Sequence, residues 1–309
     1  MSSGAAADFG GKHVVITGGA SGFGWGCALR FAALGACVTV ADITQDKGEE
    51  AARNINTATG RVDACRFEEL DLSRAASIDA FARRMETGAS IDILLNNAGI
   101  YPPSQYTVGE NGQELTFAIA YLGHFQLTAA LWPGLLAAGG ARVISVTSIA
   151  HKKAQLVLGD GAGKERYVPI RAYQQAKLAC LMFALELDQR CQAAGAPVRS
   201  VAIHPGIVKS NLGANRLARA DDNLWQRLMR WVQGNGMQHF GQSPAIAADA
   251  AIMAAGAPIE GRPFYGPIGP FEAFGRVGRA TPGGAALDLA SRQALWRYTE
   301  DVLDMEFKV

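Results

Sequence analysis

The run Thr17-Gly18-Gly19-Ala20-Ser21-Gly22-Phe23-Gly24 and the acidic Asp42, 18 positions past Gly24, are the residues whose types and spacing first suggest chemistry. A glycine cluster between an apolar run and a helix lets backbone approach a ligand closely, and the first N–H groups and dipole of that helix favour a pyrophosphate. Asp42 closes the next apolar run, where a carboxylate can accept hydrogen bonds from adenosine ribose hydroxyls and repel a 2′-phosphate. No Arg or Lys stands at Gly19 to Ser21 or directly after Asp42, so the pattern points to NAD. Each piece also has a plain reading: the glycines as a tight turn, Asp42 as a solvated turn carboxylate or helix cap. Farther along, Tyr173 and Lys177 stand four residues apart, the spacing that puts two side chains on one helix face, and Ser148 follows an apolar run. Taken singly these are an ordinary half-buried aromatic, a solvated charge and a cap.

The elements that would position these residues alternate. Apolar or β-branched runs at His13 to Thr17, Ala36 to Ala41, Asp63 to Leu70, Ile91 to Asn96, Arg142 to Thr147 and Val198 to His204 read as strands. Helix-compatible stretches separate them at Gly24 to Leu34, Lys47 to Thr57, Ser73 to Thr87, Gly112 to Ala138 and Tyr173 to Ala194. Strand–helix alternation with nearly continuous apolar strands predicts an α/β fold, a single Rossmann-type doubly wound parallel sheet with helices on both faces. With no internal repeat or low-complexity linker, the expected organisation is a loose tail over residues 1–11 and one dinucleotide-binding catalytic domain over 12–309. Two additions stand out. One is a substrate-side lid at about 211–243, where Leu224, Trp225, Leu228, Met229, Trp231 and Val232 suggest an amphipathic helix; the other is a C-terminal extension at about 261–309, with a helix-like stretch from Ala285 to Met305.

Composition narrows the class of function. With 29 Lys and Arg against 28 Asp and Glu in 309 residues, the net charge of +1 offers no field to gather nucleic acid or an anionic membrane. Five scattered cysteines without a CxxC pair argue against a disulfide framework or structural zinc and fit a reducing, cytoplasmic setting. The five histidines lack ligand spacing, so no metal is expected. Leu115 to Ala141 lacks any Asp, Glu, Lys or Arg and is long enough to span a bilayer. Its His124, Gln126, Pro133 and Gly139-Gly140 instead predict a buried core helix.

The glycine run joined by Asn96-Asn97-Ala98-Gly99 and by Tyr173-Gln174-Gln175-Ala176-Lys177, in this order and on these elements, resembles the short-chain dehydrogenase/reductase family over about residues 12 to 265. Leu122-Gly123-His124-Phe125, the KLACLMFALEL run after Lys177 and the HPGIVKSNL run from His204 resemble its retinol-dehydrogenase-like branch. The resemblance implies an oxidoreductase that interconverts an alcohol and its carbonyl, with an apolar small molecule as substrate. It assigns Gly18, Ser21, Gly22, Phe23, Gly24, Asp42 and Ile43 to the dinucleotide, Asp71 and Leu72 to the adenine, and Asn97, Ala98 and Gly99 to the adenosine side. Pro205, Gly206, Val208 and Ser210 go to the nicotinamide end. Ser148, Tyr173 and Lys177 match the catalytic positions, with Tyr173 and Lys177 also contacting the cofactor. That assignment suits hydride transfer, which leaves an alkoxide-like oxygen in need of a proton. A phenol titrates near pH 10, too high for a base near neutrality, and a neighbouring ammonium favours its ionised form. Ser148 would donate a hydrogen bond to the substrate oxygen. A homo-dimer or homo-tetramer through the helices at Gly112 to Ala138 and Tyr173 to Ala194 is also implied.

One position departs from the pattern. Where the family usually carries an Asn that helps hold a water between the Lys and solvent, this chain has Ala120, whose methyl group can neither donate nor accept. The expectation remains an active enzyme; the alternatives are a non-catalytic NAD-binding redox sensor and an epimerase or dehydratase on the same fold.

Overall fold

The structure is a computed structural model and describes residues 7–86, 90–159, 167–208, 242–259, 261 and 263–309. An eight-stranded sheet runs through it in the order β3-β2-β1-β4-β5-β6-β7-β8. The strands are β1 (His13–Thr17), β2 (Cys37–Asp42), β3 (Cys65–Glu69), β4 (Ile93–Asn96), β5 (Ala141–Val146), β6 (Val198–Ile203), β7 (Phe264–Pro267) and β8 (Val277–Arg279). All neighbours pair parallel except β7 and β8. This is the doubly wound sheet that the alternation predicts. The sequence pattern missed β7 and β8, because four residues ending Gly-Pro and three reading Val-Gly-Arg are too short and too polar to show a period. They come from the C-terminal stretch and extend the sheet past β6.

Parallel strands covered on both faces must be apolar on both, and Val14, Val15, Ile16, Leu94, Leu95, Val143 and Ile144 are all fully buried. One face packs against α1 (Gly22–Ala33) and α2 (Gln45–Thr59). The other packs against α3 (Ala75–Glu86), the helical stretch between β4 and β5, and the 26-residue α7 (Pro169–Ala194). The stretch expected as one helix from Gly112 to Ala138 is broken. It comprises α4 (Leu115–Phe117), a π-helical turn at Ala118–Leu122, α5 (Gly123–Ala130) and α6 (Trp132–Ala137), the last set off by Pro133 at its start. Its side chains fill the core, and no helix among the described residues is long and apolar enough to cross a membrane.

The short α8 (Pro244–Ala247), α9 (Asp249–Gly256) and α10 (Gly284–Leu287) precede α11 (Leu289–Leu303). Trp296 of α11 lies 4.8 Å edge-on to Phe125 of α5 and stacks 6.0 Å from Phe183 of α7, with Arg190 over its ring at 4.1 Å. The Phe307 ring packs on Phe125 and Trp132. The rings of α11 and the C-terminal segment thus cover part of the apolar side that α5 and α7 share. The segment read as a lid lies outside the described residues except for Gln242 and Ser243.

Candidate active site

At the C-terminal ends of β1 and β4 the backbone is drawn together by one hydroxyl. Thr17 Oγ1 accepts the amides of Asn97 and Ala98, both at 2.9 Å, while the Asn97 side chain donates to the carbonyls of Thr17 (2.7 Å) and Gly18 (3.2 Å). Two glycines make the approach possible. Gly18 has φ +62° and a side chain there would sit 2.9 Å from the Ala98 backbone; a side chain on Gly24 would overlap the Gly18 carbonyl. The turn then enters α1 through Ser21, which caps it with extended backbone and no side-chain hydrogen bond. The N–H groups of the first helical turn are therefore left for another acceptor. A cradle that a Cβ would fill, opening onto an uncapped helix N-terminus, fits the pyrophosphate of a dinucleotide.

Asp42 ends β2 beside this turn. Its carboxylate accepts the Ala20 amide at 3.1 Å and the Ile43 amide at 2.9 Å, so it is tied to the glycine turn and is not the cap of α2, which is Thr44. Ile43 is 60% exposed beside it. Asp71 turns onto its own loop, accepting the amide and hydroxyl of Ser73. The side chains of Phe23, Leu72 and Val208 are buried in the core, which leaves their backbone atoms as what they can offer a ligand.

The other expected group gathers where β5 meets α7. Lys177, 7% exposed, donates from Nζ to the Val146 carbonyl at 3.0 Å, and Thr147 Oγ1 donates to the Lys177 carbonyl at 2.6 Å. These two bonds clamp α7 to the end of β5, one residue short of Ser148. Ser148 opens a 3₁₀ turn (Ile149–Lys153), and its Oγ accepts the Ala150 amide at 3.3 Å, so the capping role open to it is present too. The helix begins a turn earlier than the sequence suggests, with Pro169 at its first position, which carries Tyr173 into its second turn. The Tyr173 ring has Lys177 Nζ 6.0 Å from its centre and stacks on Tyr101 at 6.1 Å. Gly99 faces the same space, since a side chain there would meet both the Ala120 methyl and Lys177 Nζ at 3.7 Å.

Beyond β6, Pro205 and Gly206 lead to Ile207, whose amide donates to the Ala273 carbonyl at 3.0 Å. Gly206 has φ +72° and presses on that same carbonyl. Ser210 lies outside the described residues. Sequence reasoning gives no role to Thr17, though it heads the glycine run, or to Tyr101, and it quotes His124 only as a polar residue of the Leu115 to Ala141 stretch and as part of the Leu122–Phe125 run.

The family model for short chain dehydrogenases matches residues 12–221. The chain belongs to the short-chain dehydrogenase family. Within it, the chain is retinol-dehydrogenase-like: it is 39% identical over 206 residues to mouse retinol dehydrogenase 12, covering 66% of this chain and 64% of that protein. It is 35% identical over 262 residues to mouse polyprenol dehydrogenase, covering 81% of this chain and 73% of the relative. Among solved structures, a short chain dehydrogenase/reductase from Burkholderia phymatum in complex with NAD superposes with a TM-score of 0.67 at 19% identity, covering 98% of this chain and 99% of that one. A Pseudomonas aeruginosa RhlG/NADP complex superposes at 0.62 and 24%, covering 81% and 91%. The protein is therefore an oxidoreductase of a family that interconverts alcohols and carbonyl compounds.

Proposed function

We propose that this short-chain dehydrogenase interconverts an apolar alcohol and its aldehyde or ketone with NAD, and that Tyr173 carries the proton. The observation that supports this most is the double clamp between β5 and α7, Lys177 Nζ to Val146 and Thr147 Oγ1 to Lys177. It fixes the Tyr173–Lys177 face beside Ser148, at the sheet edge that also bears the glycine turn and Asp42.

When bound, the dinucleotide supplies the hydride acceptor or donor; the chain supplies the rest. Gly18 and Gly24 let backbone approach the pyrophosphate, Ser21 leaves the α1 amides free for it, and Asp42 selects a free 2′-hydroxyl. Ser148 Oγ donates to the substrate oxygen and holds it in line. The Tyr173 hydroxyl gives the proton to that oxygen in reduction and takes it in oxidation. The Lys177 ammonium, held close by Val146, keeps positive charge next to the phenol and can reach a ribose hydroxyl. An apolar substrate is favoured by the Tyr101 ring lying against Tyr173 and by relatives named for polyprenol and retinol, two apolar alcohols.

The test is absorbance at 340 nm with a panel of prenols, retinoids and aromatic alcohols, each with NAD and with NADP. The reading expects NAD to be reduced with an apolar alcohol. Tyr173→Phe should lower kcat by about a thousandfold, within the usual range for losing a general acid–base group. Full turnover by the Phe variant, or no turnover with either dinucleotide, would sink it.

A further inference from the structure

Thr17 Oγ1 is the hub of the nucleotide side, and something must orient its single hydrogen. The hydroxyl already accepts two amides, from Asn97 and Ala98, so both lone pairs are committed and its hydrogen must point elsewhere. Two acceptors are in range: the Leu95 carbonyl at 3.4 Å and His124 Nε2 at 2.8 Å. The other nitrogen of that ring, Nδ1, lies 2.9 Å from the Ala120 carbonyl, which can only accept. Nδ1 therefore carries the proton, and in a neutral ring Nε2 is left as an acceptor for Thr17. Every donor and acceptor in this chain of bonds is assigned by its neighbour. Burial keeps the ring neutral, since His124 is 3% exposed and burial pushes its pKa down to about 4.

The Ala120 carbonyl is within reach because it sits in the π-helical turn at Ala118–Leu122, where the Gly123 amide returns to Ala118. It also accepts from the Cys180 thiol at 3.1 Å, three residues beyond Lys177 on α7. The imidazole thus stands between the turn after β1 and the helix that bears Tyr173 and Lys177.

We infer that His124 is a positioning residue for the dinucleotide: accepting the Thr17 hydrogen at Nε2, it turns both hydroxyl lone pairs onto the Asn97 and Ala98 amides and so fixes the Asn97–Gly99 segment against the glycine turn. The inference rests on the proposed NAD site. Its effect reaches the ligand through Thr17 and the backbone, so it is separable from substrate turnover.

The experiment compares wild type with His124→Leu, His124→Asn, Thr17→Val and Thr17→Ser. NAD affinity is measured by titration calorimetry, and amide hydrogen exchange at Asn97 and Ala98 is followed in the ligand-free protein. His124→Asn is the safeguard against misfolding: its shorter amide can still donate to Ala120 but cannot reach Thr17. The expected result is NAD binding about tenfold weaker in both His124 variants and in Thr17→Val, with exchange at 97 and 98 at least tenfold faster and exchange in α2 unchanged. Thr17→Ser, which keeps the hydroxyl, should stay within twofold of wild type. NAD affinity within twofold of wild type in His124→Asn overturns the inference and leaves the proposed function standing. A wild-type protein that binds no NAD overturns both.

Discussion

The sides proposed for the nucleotide and for the reaction each bury a histidine, and the two rings are held in opposite ways. His124, on the nucleotide side, has a partner at both nitrogens and a tautomer dictated by them. His204, at the end of β6 before Pro205, is fully buried, yet neither nitrogen has a hydrogen-bond partner among the described residues. Its ring presses on Gly266 and packs 5.3 Å from Phe264, with the Glu272 carboxylate 3.5 Å away but not hydrogen-bonded. Around His124 both ring nitrogens, the Thr17 hydroxyl and the Asn97 side-chain amide have partners; around His204 the chain accepts strain. Phe271 and Glu272 are consecutive non-glycine residues with φ +55° and +54°, a conformation costly for L-residues. The side proposed to hold the dinucleotide is tied by many hydrogen bonds, whereas the side proposed to face the substrate is held by a strained turn and by the Lys152–Glu272 ion pair at 2.8 Å.

The comparison is tested most severely by acid. Burial pushes both rings down to about 4, against 6.5 for an exposed histidine. Below pH 6.5 the unfolded chain binds protons that the folded one refuses, so each ring contributes stability that is whole above 6.5 and is lost as pH falls from 6.5 toward 4. The loss per ring is roughly 3 kcal/mol by pH 4, and urea unfolding at pH 7 and pH 4.5 reads most of it. His204→Phe should remove one such share at a cost within about 1 kcal/mol at pH 7, because no hydrogen bond is given up. His124→Phe removes an equal share but costs about 1–3 kcal/mol more at pH 7, since Thr17 and Ala120 lose partners. Equal costs at pH 7 would break the contrast.

Glycine substitutions sharpen it on the functional side. A side chain on Gly24 overlaps the Gly18 carbonyl, which is itself pinned by Asn97, so nothing there can give. Gly24→Ala should weaken NAD binding roughly a hundredfold, the upper end of what overpacking costs. A side chain on Gly206 overlaps the Ala273 carbonyl, which holds the Ile207 amide and the Gln242 side chain in the segment proposed for the nicotinamide end rather than for the pyrophosphate. Gly206→Ala should weaken NAD binding only about threefold while lowering kcat more, if the displaced backbone flanks the nicotinamide as proposed. Calorimetry beside steady-state kinetics separates the two. The reverse ranking of NAD affinities would mean that the reaction side is the stiffer one.

The same contrast decides what the sequence made legible. The six strands of the alternating core, and the places of the glycine turn, Asp42, Ser148 and the Tyr173–Lys177 face on them, were readable because each is local, resting on a period, a spacing or a residue following a strand. His124 was not, since its role depends on a π-helical turn and on Thr17, 107 positions away in sequence. Likewise the covering of α5 and α7 by Trp296 and Phe307 joins parts of the chain that no window spans. The strained turn was hidden for another reason: nothing in Pro270-Phe271-Glu272 announces a left-handed pair, which only the surrounding contacts impose.

That turn offers the gentlest test. Phe271 is 94% exposed, so its ring adds little packing, while its backbone carries the left-handed penalty of about 1–2 kcal/mol. Glycine at that position removes the penalty and returns about 0.5–1 kcal/mol through the greater freedom of the unfolded chain. Phe271→Gly should therefore stabilise the protein by about 0.5–1 kcal/mol and raise Tm by roughly 2 °C. Glu272→Gly relieves the same kind of strain but removes the carboxylate that faces Lys152 and His204, so its net change should be smaller. A fall in Tm for Phe271→Gly would mean that the ring itself holds the turn in place, and the reaction side would then be as firmly specified as the side built around Thr17.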